Sequence, residues 1–287
     1  MGDEHEKSMH YHFVGIGGIG LSAIAKVLLE QGHRVSGSDL KLSPVALALA
    51  KSGATIYEGH DATHIEGAEV VVVSSAVPVN NSEVAAARKR GLPVVKRDRL
   101  LGQMMSAARE AGKVGVAVAG THGKTTTSSL IAHMLVALGL DPTFIVGGVL
   151  GNWGTNAQAG QGPHFVIEAD EYDRTFLGLR FQIAVVTHLE HDHPDCFPTV
   201  EDVEAAFRQF LALTPPDGCV IGCGDAPRLA KLLQELLKQP SVPEVGVYGL
   251  EPDSDWRAVG LTVNDVGGHD FVVLQGGIEK GHFSLRI

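Results

Sequence analysis

Long apolar runs, basic tracts and cysteine pairs are all scarce in this sequence, and each scarcity excludes a class of protein. No apolar stretch approaches the roughly 20 residues that a membrane-spanning helix requires. Lys and Arg number 23 against 33 Asp and Glu, a net charge of −10, and the basic residues are not gathered into runs. A polyanion such as DNA demands a basic stripe, so nucleic acid is not an expected partner, and no membrane is either. Small phosphorylated ligands stay open, because backbone amides and one or two Lys side chains hold them locally. The three cysteines are Cys196, Cys219 and Cys223. So sparse and odd a count points to reduced thiols and a cytoplasmic setting. Cys219 and Cys223 lie four apart, but no second pair completes a structural zinc site. The N-terminal MGDEHEKSMH is polar and acidic, unlike a signal peptide or an anchor.

Glycine, by contrast, is plentiful at 35 of 287 residues, as in folds with many tight turns and close backbone approaches. The length exceeds one typical domain. A short β-branched run, a Gly-rich turn and an amphipathic helix follow one another, and this pattern starts afresh twice. In 1–109 the expected strands are 11–15, 34–37, 70–74 and 94–95, with helices at 21–31, 44–51, 81–90 and 97–109. Polar residues 107–113 read as a linker. In 110–287 strands are expected at 114–119, 144–146, 164–167 and 183–187, and helices at 125–138, 200–213 and 226–238. Beyond about residue 247 the pattern turns Gly-rich and strand-like, at 271–274 and 283–287. The expected class is α/β: a Rossmann-like N-terminal domain (1–109), then a P-loop-type, mostly parallel central ATPase domain (110–287).

Four motifs carry chemistry. Gly15, Gly17, Gly18 and Gly20 satisfy G-x-G-x-x-G between a strand and a helix, a turn that lets backbone approach a diphosphate. Asp39 follows 19 residues beyond Gly20, where a ribose-binding carboxylate belongs. NAD, a UDP-sugar and a turn that binds nothing all fit this unit, and the motif alone does not decide. The second motif is Gly120-Thr121-His122-Gly123-Lys124-Thr125-Thr126. It is shorter than a standard P-loop, since Val118 stands where the first Gly would be. Its physics is the same: an amide nest, a Lys for the β- and γ-phosphates and a hydroxyl for Mg²⁺.

The third motif, Glu168-Ala169-Asp170-Glu171-Tyr172-Asp173, follows an apolar strand. Packed acids repel unless cations compensate them, so Mg²⁺ is the economical reading and a solvated turn the plain one. The fourth, His188-Leu189-Glu190-His191-Asp192-His193-Pro194-Asp195, is one substitution from a dinuclear zinc-hydrolase pattern. A phosphate loop has no use in such a hydrolase, and no further convincing His ligand is found.

In order, HFVGIGGIGLSAIA, VSGSD, SSAVP, AGTHGKTTT, EADEYD and LEHDHPD resemble the Mur ligase family, from about His12 to the last residue. The resemblance is closest to its alanine-adding branch. It implies that UDP-N-acetylmuramate, not NAD, binds the first domain through Gly15, Gly17, Gly18, Ile19, Gly20, Ser38, Asp39, Ser74 and Ser75. It implies ATP and Mg²⁺ in the central domain, with Gly120, Thr121, His122, Gly123, Lys124, Thr125 and Thr126 on the phosphates. Thr125 and Glu168 would hold a first Mg²⁺ and His193 a second, making Lys124, Glu168 and His193 the catalytic set. The implied reaction phosphorylates the lactyl carboxylate, and the amine of L-alanine then attacks the acyl phosphate. Cations screen such an approach of anion to anion.

Several residues depart from the pattern. His188 stands where the family usually has Asn, and Tyr172 where alanine-adding members more often have Ser. EADEYD is nearer to the recycling branch, which attaches a tripeptide to the same nucleotide. The 200–212 helix has no Lys, so the carbamylated lysine of some members is not expected. A third, amino-acid-binding domain with the L-alanine site is expected to be absent from the chain. Such a truncated chain is expected to bind nucleotides without ligating. Two other readings compete: a non-catalytic two-domain nucleotide-binding module, and an NAD-dependent dehydrogenase with an appended ATPase domain.

Overall fold

The computed structural model describes residues 8–286. Residues 1–7 of the acidic N-terminal stretch, and Ile287 of the expected strand 283–287, lie outside the described residues. The chain divides into two compact units. One holds residues up to Gly115 together with Ser128–Glu168, and the other holds Val116–Thr127 together with Ala169 onward.

In the first unit, β1 (His10–Val14), α1 (Ile19–Glu30), β2 (Arg34–Asp39), α2 (Pro44–Lys51), β3 (Thr55–Glu58), β4 (Val70–Val73), α3 (Ser82–Lys89), β5 (Val94–Lys96) and α4 (Arg97–Glu110) follow in sequence. The sheet is wholly parallel in the order β3-β2-β1-β4-β5, with Tyr11 facing Val35 on one side and Val70 on the other. The strand order reverses direction at β1, so the crevice at its C-terminal end is the topological switch point where ligands bind such sheets. Phe13 and Val14 are fully buried because both faces of the central strand are covered. Local chemistry sets the helix starts: Ser43 Oγ accepts from Ala46 N ahead of Pro44, and Asn81 Oδ1 accepts from Glu83 N and Val84 N. α1 is buried over most of its surface, packing on α2, α4 and on later strands of the same unit.

β6 (Val114–Ala119) leads to α5 (Lys124–Ala137), then β7 (Thr143–Leu150), β8 (Thr155–Gln158) and β9 (His164–Glu168). In the first unit β7 pairs parallel with β9 and antiparallel with β8. The second unit continues through a 3-10 segment (Tyr172–Gly178), β10 (Ile183–Val186), α6 (Val200–Ala212), β11 (Cys219–Cys223), α7 (Pro227–Leu236), β12 (Glu244–Gly249), β13 (Trp256–Val263), β14 (His269–Gln275) and β15 (Ile278–Leu285). There β6, β10, β11, β12 and β13 are parallel neighbours, and β13-β14-β15 form an antiparallel meander. Phe176 stacks on Phe210 at 4.9 Å and meets Phe207 edge-on at 5.3 Å. This aromatic core anchors the 3-10 segment that begins within the acidic motif.

The α/β class and the parallel sheets agree with expectation. Strands β3, β8, β11 and β12 were not expected. β8 and β12 have no adjacent β-branched residues, and β3 and β11 have only the pairs Thr55-Ile56 and Val220-Ile221, so pairing more than local pattern makes each a strand. β7 extends through Gly147 and Gly148, where the sequence pattern breaks. The first four residues of the expected linker, 107–110, are helical as the end of α4. Among the described residues, no helix is long and apolar enough to cross a membrane.

Candidate functional site

Two strand–loop–helix junctions carry the expected residues. In the first unit β1 ends at Val14 and Gly15 turns at φ 87°. The amides of Gly15 and Ile16 donate to the Ser38 carbonyl at 2.8 and 3.1 Å. Gly17 N donates to Asp39 Oδ2 at 2.8 Å, and Gly17 O accepts from Ser43 Oγ at 3.1 Å. Gly18 is the N-cap of α1, whose first hydrogen bond runs from Ser22 N to Gly18 O. The leading amides are therefore spent inward, and the donors at the helix's positive end are those of Ile19, Gly20 and Leu21. A diphosphate here would meet the first turn of α1 rather than the glycines of the bend. Arg97, which the sequence did not single out, lies at this turn: its guanidinium is 3.1–3.2 Å from where a Gly20 Cβ would be.

Ser74 sits beside Gly15, its Cβ 3.1 Å from where a Gly15 Cβ would be, and Ser75 next to it is exposed. Ser38 is placed differently from expectation. It is fully buried, and its hydroxyl faces inward, donating to Glu83 Oε2 at 2.5 Å. Glu83 is itself fully buried and meets His60 Nδ1 at 3.1 Å, His64 Nδ1 at 2.7 Å and His12 Nε2 at 3.8 Å. Burial alone would raise its pKa, but the contacts with His12, Ser38 and His64 hold it down to about 2. Glu83 thus clamps β1, the end of β2, the 60–64 loop and α3 together beneath the glycine loop.

The second junction lies in the second unit. Gly120 adopts φ 139°, and a side chain there would collide with Thr187 and with His188 N, so only glycine fits. Thr121 N donates to His188 O at 3.0 Å, and Glu190 N donates to Thr121 Oγ1 at 3.1 Å. The Thr187 hydroxyl donates to the His122 carbonyl. These bonds fasten the loop to the segment after β10. Lys124, Thr125 and Thr126 form the first turn of α5, where Thr127 N bonds to Gly123 O.

Lys124 Nζ donates to Gly120 O at 2.6 Å and to Glu171 Oε1 at 2.8 Å. Glu171 is buried, its other carboxylate oxygen has no hydrogen-bond partner among the described residues, and burial raises its pKa against the pull of Lys124. His193 Nε2 lies 3.6 Å from Glu171 Oε1 and 3.8 Å from Asp192 Oδ2, at a backbone φ of 53°. The donors of Glu171, Asp192 and His193 all fall within 4.8 Å of one another. Tyr172 meets His193 edge-on at 5.2 Å, and its hydroxyl donates to Asp195 Oδ2 at 2.9 Å.

The acidic motif does not act as one cluster. Glu168, in the first unit, accepts from Gly147 N at 2.7 Å, and Asp170 accepts from Tyr172 N at 3.1 Å. The histidine-rich motif also diverges. His188 pairs with Glu190 at 3.8 Å, His191 Nε2 contacts the Phe197 carbonyl at 2.8 Å, and His193 alone of the three faces Glu171. That divergence removes the geometric basis for a dinuclear zinc centre built on this motif.

Family models match both parts of the chain: the Mur ligase family catalytic domain over residues 10–109, and the Mur ligase middle domain over 118–286. The chain belongs to the Mur ligase family. It is 43% identical, over 97% of its length, to a UDP-N-acetylmuramate–L-alanine ligase of Rubrobacter xylanophilus. It covers 59% of that relative and 52% of the one from Syntrophus aciditrophicus, so it spans between half and three-fifths of their length. A solved UDP-N-acetylmuramate:L-alanyl-gamma-D-glutamyl-meso-diaminopimelate ligase from Neisseria meningitides superposes with TM-score 0.82 at 30% identity, over 98% of this chain and 88% of that one. The UDP-N-acetylmuramate-alanine ligase of Thermotoga maritima gives TM-score 0.80 at 26% identity, over 97% of this chain and 61% of that one.

Within this Mur-family chain, Glu171 and Asp192 are acids of the second junction that sequence reading passed over as individual residues. Nothing local distinguishes Glu171 from the other acids of its motif; packing brings it to Lys124 across 47 residues of sequence.

Proposed function

We propose that this chain provides the nucleotide-sugar and ATP sites of an ATP-dependent ligase that joins L-alanine to the carboxylate of UDP-N-acetylmuramate. The observation that carries the reading is Lys124, held at the mouth of the phosphate loop on a buried carboxylate beside His193 and Asp192. Ligation is proposed for the whole protein, cytoplasmic and working in cell-wall precursor synthesis; binding of both nucleotides is proposed for this part. Residues 1–109 take the UDP moiety, with Ile19 and Gly20 at its diphosphate, Gly15, Gly17 and Gly18 shaping the bend beneath it, Asp39, Ser74 and Ser75 around it and Ser38 bracing it from below. Residues 110–287 take ATP.

The residues present fit a magnesium nucleotide. The buried, unpartnered oxygen of Glu171, with Asp192 and His193 around it, is a hard, oxygen-rich donor set. Thr125, Glu168 and His193 are each proposed as Mg²⁺ ligands, with Glu171 and Asp192 beside His193. Bound Mg²⁺ would screen the approach of the phosphoryl group to the carboxylate. The chain's own residues do the rest. The backbone of residues 120–126 cradles the β- and γ-phosphates, and Lys124 swings from Glu171 onto them. The first turn of α1 holds the diphosphate of the acceptor.

A tripeptide donor is the second reading, favoured by the EADEYD motif at residues 168–173 and by the likeness to the Neisseria ligase. Calorimetry on this chain with UDP-N-acetylmuramate, NAD and ATP with Mg²⁺, followed by product assays on the whole protein with L-alanine and with tripeptide, tests the proposal. Binding of NAD but not the UDP-sugar would overturn it in favour of a dehydrogenase. Product with tripeptide alone would transfer it to the second reading.

A further inference from the structure

We propose that Lys26 and Glu30 form a positioning staple that transmits occupancy of the glycine loop to the β7–β8 hairpin and, through it, to Glu168. The inference rests on the proposal that the 15–20 loop binds a nucleotide diphosphate. α1 begins at that loop and is one continuous helix, so Lys26 stands about 10 Å along its axis from Ile19. Lys26 Nζ donates to Thr155 Oγ1 at 2.8 Å and to the Ala157 carbonyl at 2.7 Å, and pairs with Glu30 Oε1 at 3.3 Å. An ammonium has three donors, and here three acceptors surround it. Glu30 uses its other oxygen, Oε2, to accept from Ala159 N at 2.8 Å. Two side chains one turn apart on α1 therefore hold the whole of β8, from Thr155 to just beyond Gln158.

The connection continues without a gap. β8 pairs with β7 through Ala157 opposite Ile145 and Thr155 opposite Leu150. The register shifts between those pairs, and Gly147 lies in the shifted stretch. Gly147 N donates to Glu168 Oε2 at 2.7 Å, and a side chain on Gly147 would sit 2.5 Å from the same carboxylate. The strand therefore dictates where this carboxylate points. A ligand on the first turn of α1 fixes the helix, the helix fixes β8, and β7 fixes Glu168. Ordering two long side chains costs rotamer entropy, so a fully satisfied pair bridging 129 residues of sequence is more than a surface decoration.

Amide hydrogen exchange on the 287-residue chain, with and without saturating UDP as probe, tests the staple. In the unaltered protein UDP should slow exchange at 18–22 and also at 155–159 and Gly147, each by about threefold or more. In Lys26→Met, which keeps most of the aliphatic stem, protection at 18–22 should persist while the effect at 155–159 and Gly147 disappears. Thr155→Val, which removes one of the three acceptors around Lys26 together with the hydroxyl's own bonds to Ala157, should reduce the remote effect and provides the test if Lys26→Met does not fold. A merely structural tie would change basal exchange but leave the response to UDP intact, and that result overturns the proposal. So does protection at 18–22 with none at 155–159 in the unaltered chain. Absence of any protection at 18–22 overturns the diphosphate reading itself, and the staple's role falls with it.

Discussion

The two glycine loops share a plan and differ in where their charge sits. Each follows a buried parallel strand and leads into a helix, and each turns at glycine with positive φ, at Gly15 in the one and at Gly120 and Gly123 in the other. In the 15–20 loop the acids lie inside: Asp39 holds the Gly17 amide, and Glu83 lies beneath, fully buried among histidines. In the 120–126 loop Lys124 bonds to the buried Glu171, one oxygen of which has no partner among the described residues. The first loop is braced by charges that never need to move. The second holds its charge in a contact that a phosphate can replace. A ligand held but not consumed suits the first arrangement, and a phosphoryl group in transfer suits the second.

The largest expected effect breaks the bracing of the first loop. Glu83 titrates near 2 in the folded protein against 4.5 unperturbed. A depressed carboxylate pKa contributes stability that is present above the unfolded value and lost as pH falls through the folded one. Stability should therefore decline between about pH 4.5 and 2, by on the order of 2–3 kcal/mol from this group. Urea unfolding at a series of pH values should show that decline, and Glu83→Gln should be less stable at neutral pH and lose most of this slope. Lys124 tests the other loop. Lys124→Ala should weaken ATP binding by on the order of 10–100-fold, since charge-assisted contacts contribute about 1.5–3 kcal/mol. UDP-N-acetylmuramate affinity should stay within about threefold, because Lys124 belongs to the other loop. Equal losses for both ligands by calorimetry would erase the distinction between the loops.

The smaller effects sharpen the reading of the second loop. His193→Ala should raise the Mg²⁺ concentration needed for ATP binding by about tenfold, as loss of a metal-site residue commonly does. An unchanged magnesium requirement in the same titration would remove His193 from the cation site. Tyr172→Phe loses only the hydroxyl bond to Asp195 and should change that requirement by less than about threefold while keeping the ring against His193. A loss as large as that of His193→Ala would make the tyrosine hydroxyl part of the site.

Most of the parallel strands and both loops were legible because local pattern and tertiary role coincide there. β-branched runs such as Val70–Val73 become buried strands in any such sheet, and Gly120 has the φ that its loop needs. Thr155–Gln158 was illegible as a strand, since polar residues at a sheet edge carry no such signature. Glu83 was passed over as one acid in a helix, and nothing local distinguishes it from an exposed neighbour. Its burial comes from His12, His60 and His64, which lie 19 to 71 residues away in sequence.

The sequence by itself determined the class of fold, the two phosphate-type loops and the order of motifs that places the chain among Mur ligases. Each of these depends on residue types at short, fixed spacings, which backbone geometry converts directly into turns, strands and helix ends. Only the tertiary structure decided which charges meet: Lys124 with Glu171, His193 with the same carboxylate, Ser38 turned inward to Glu83, and Lys26 bound to β8. The physical reason is range. A hydrogen bond or ion pair between side chains acts over about 3–4 Å, and which groups come within that distance is set by packing among residues far apart in the chain.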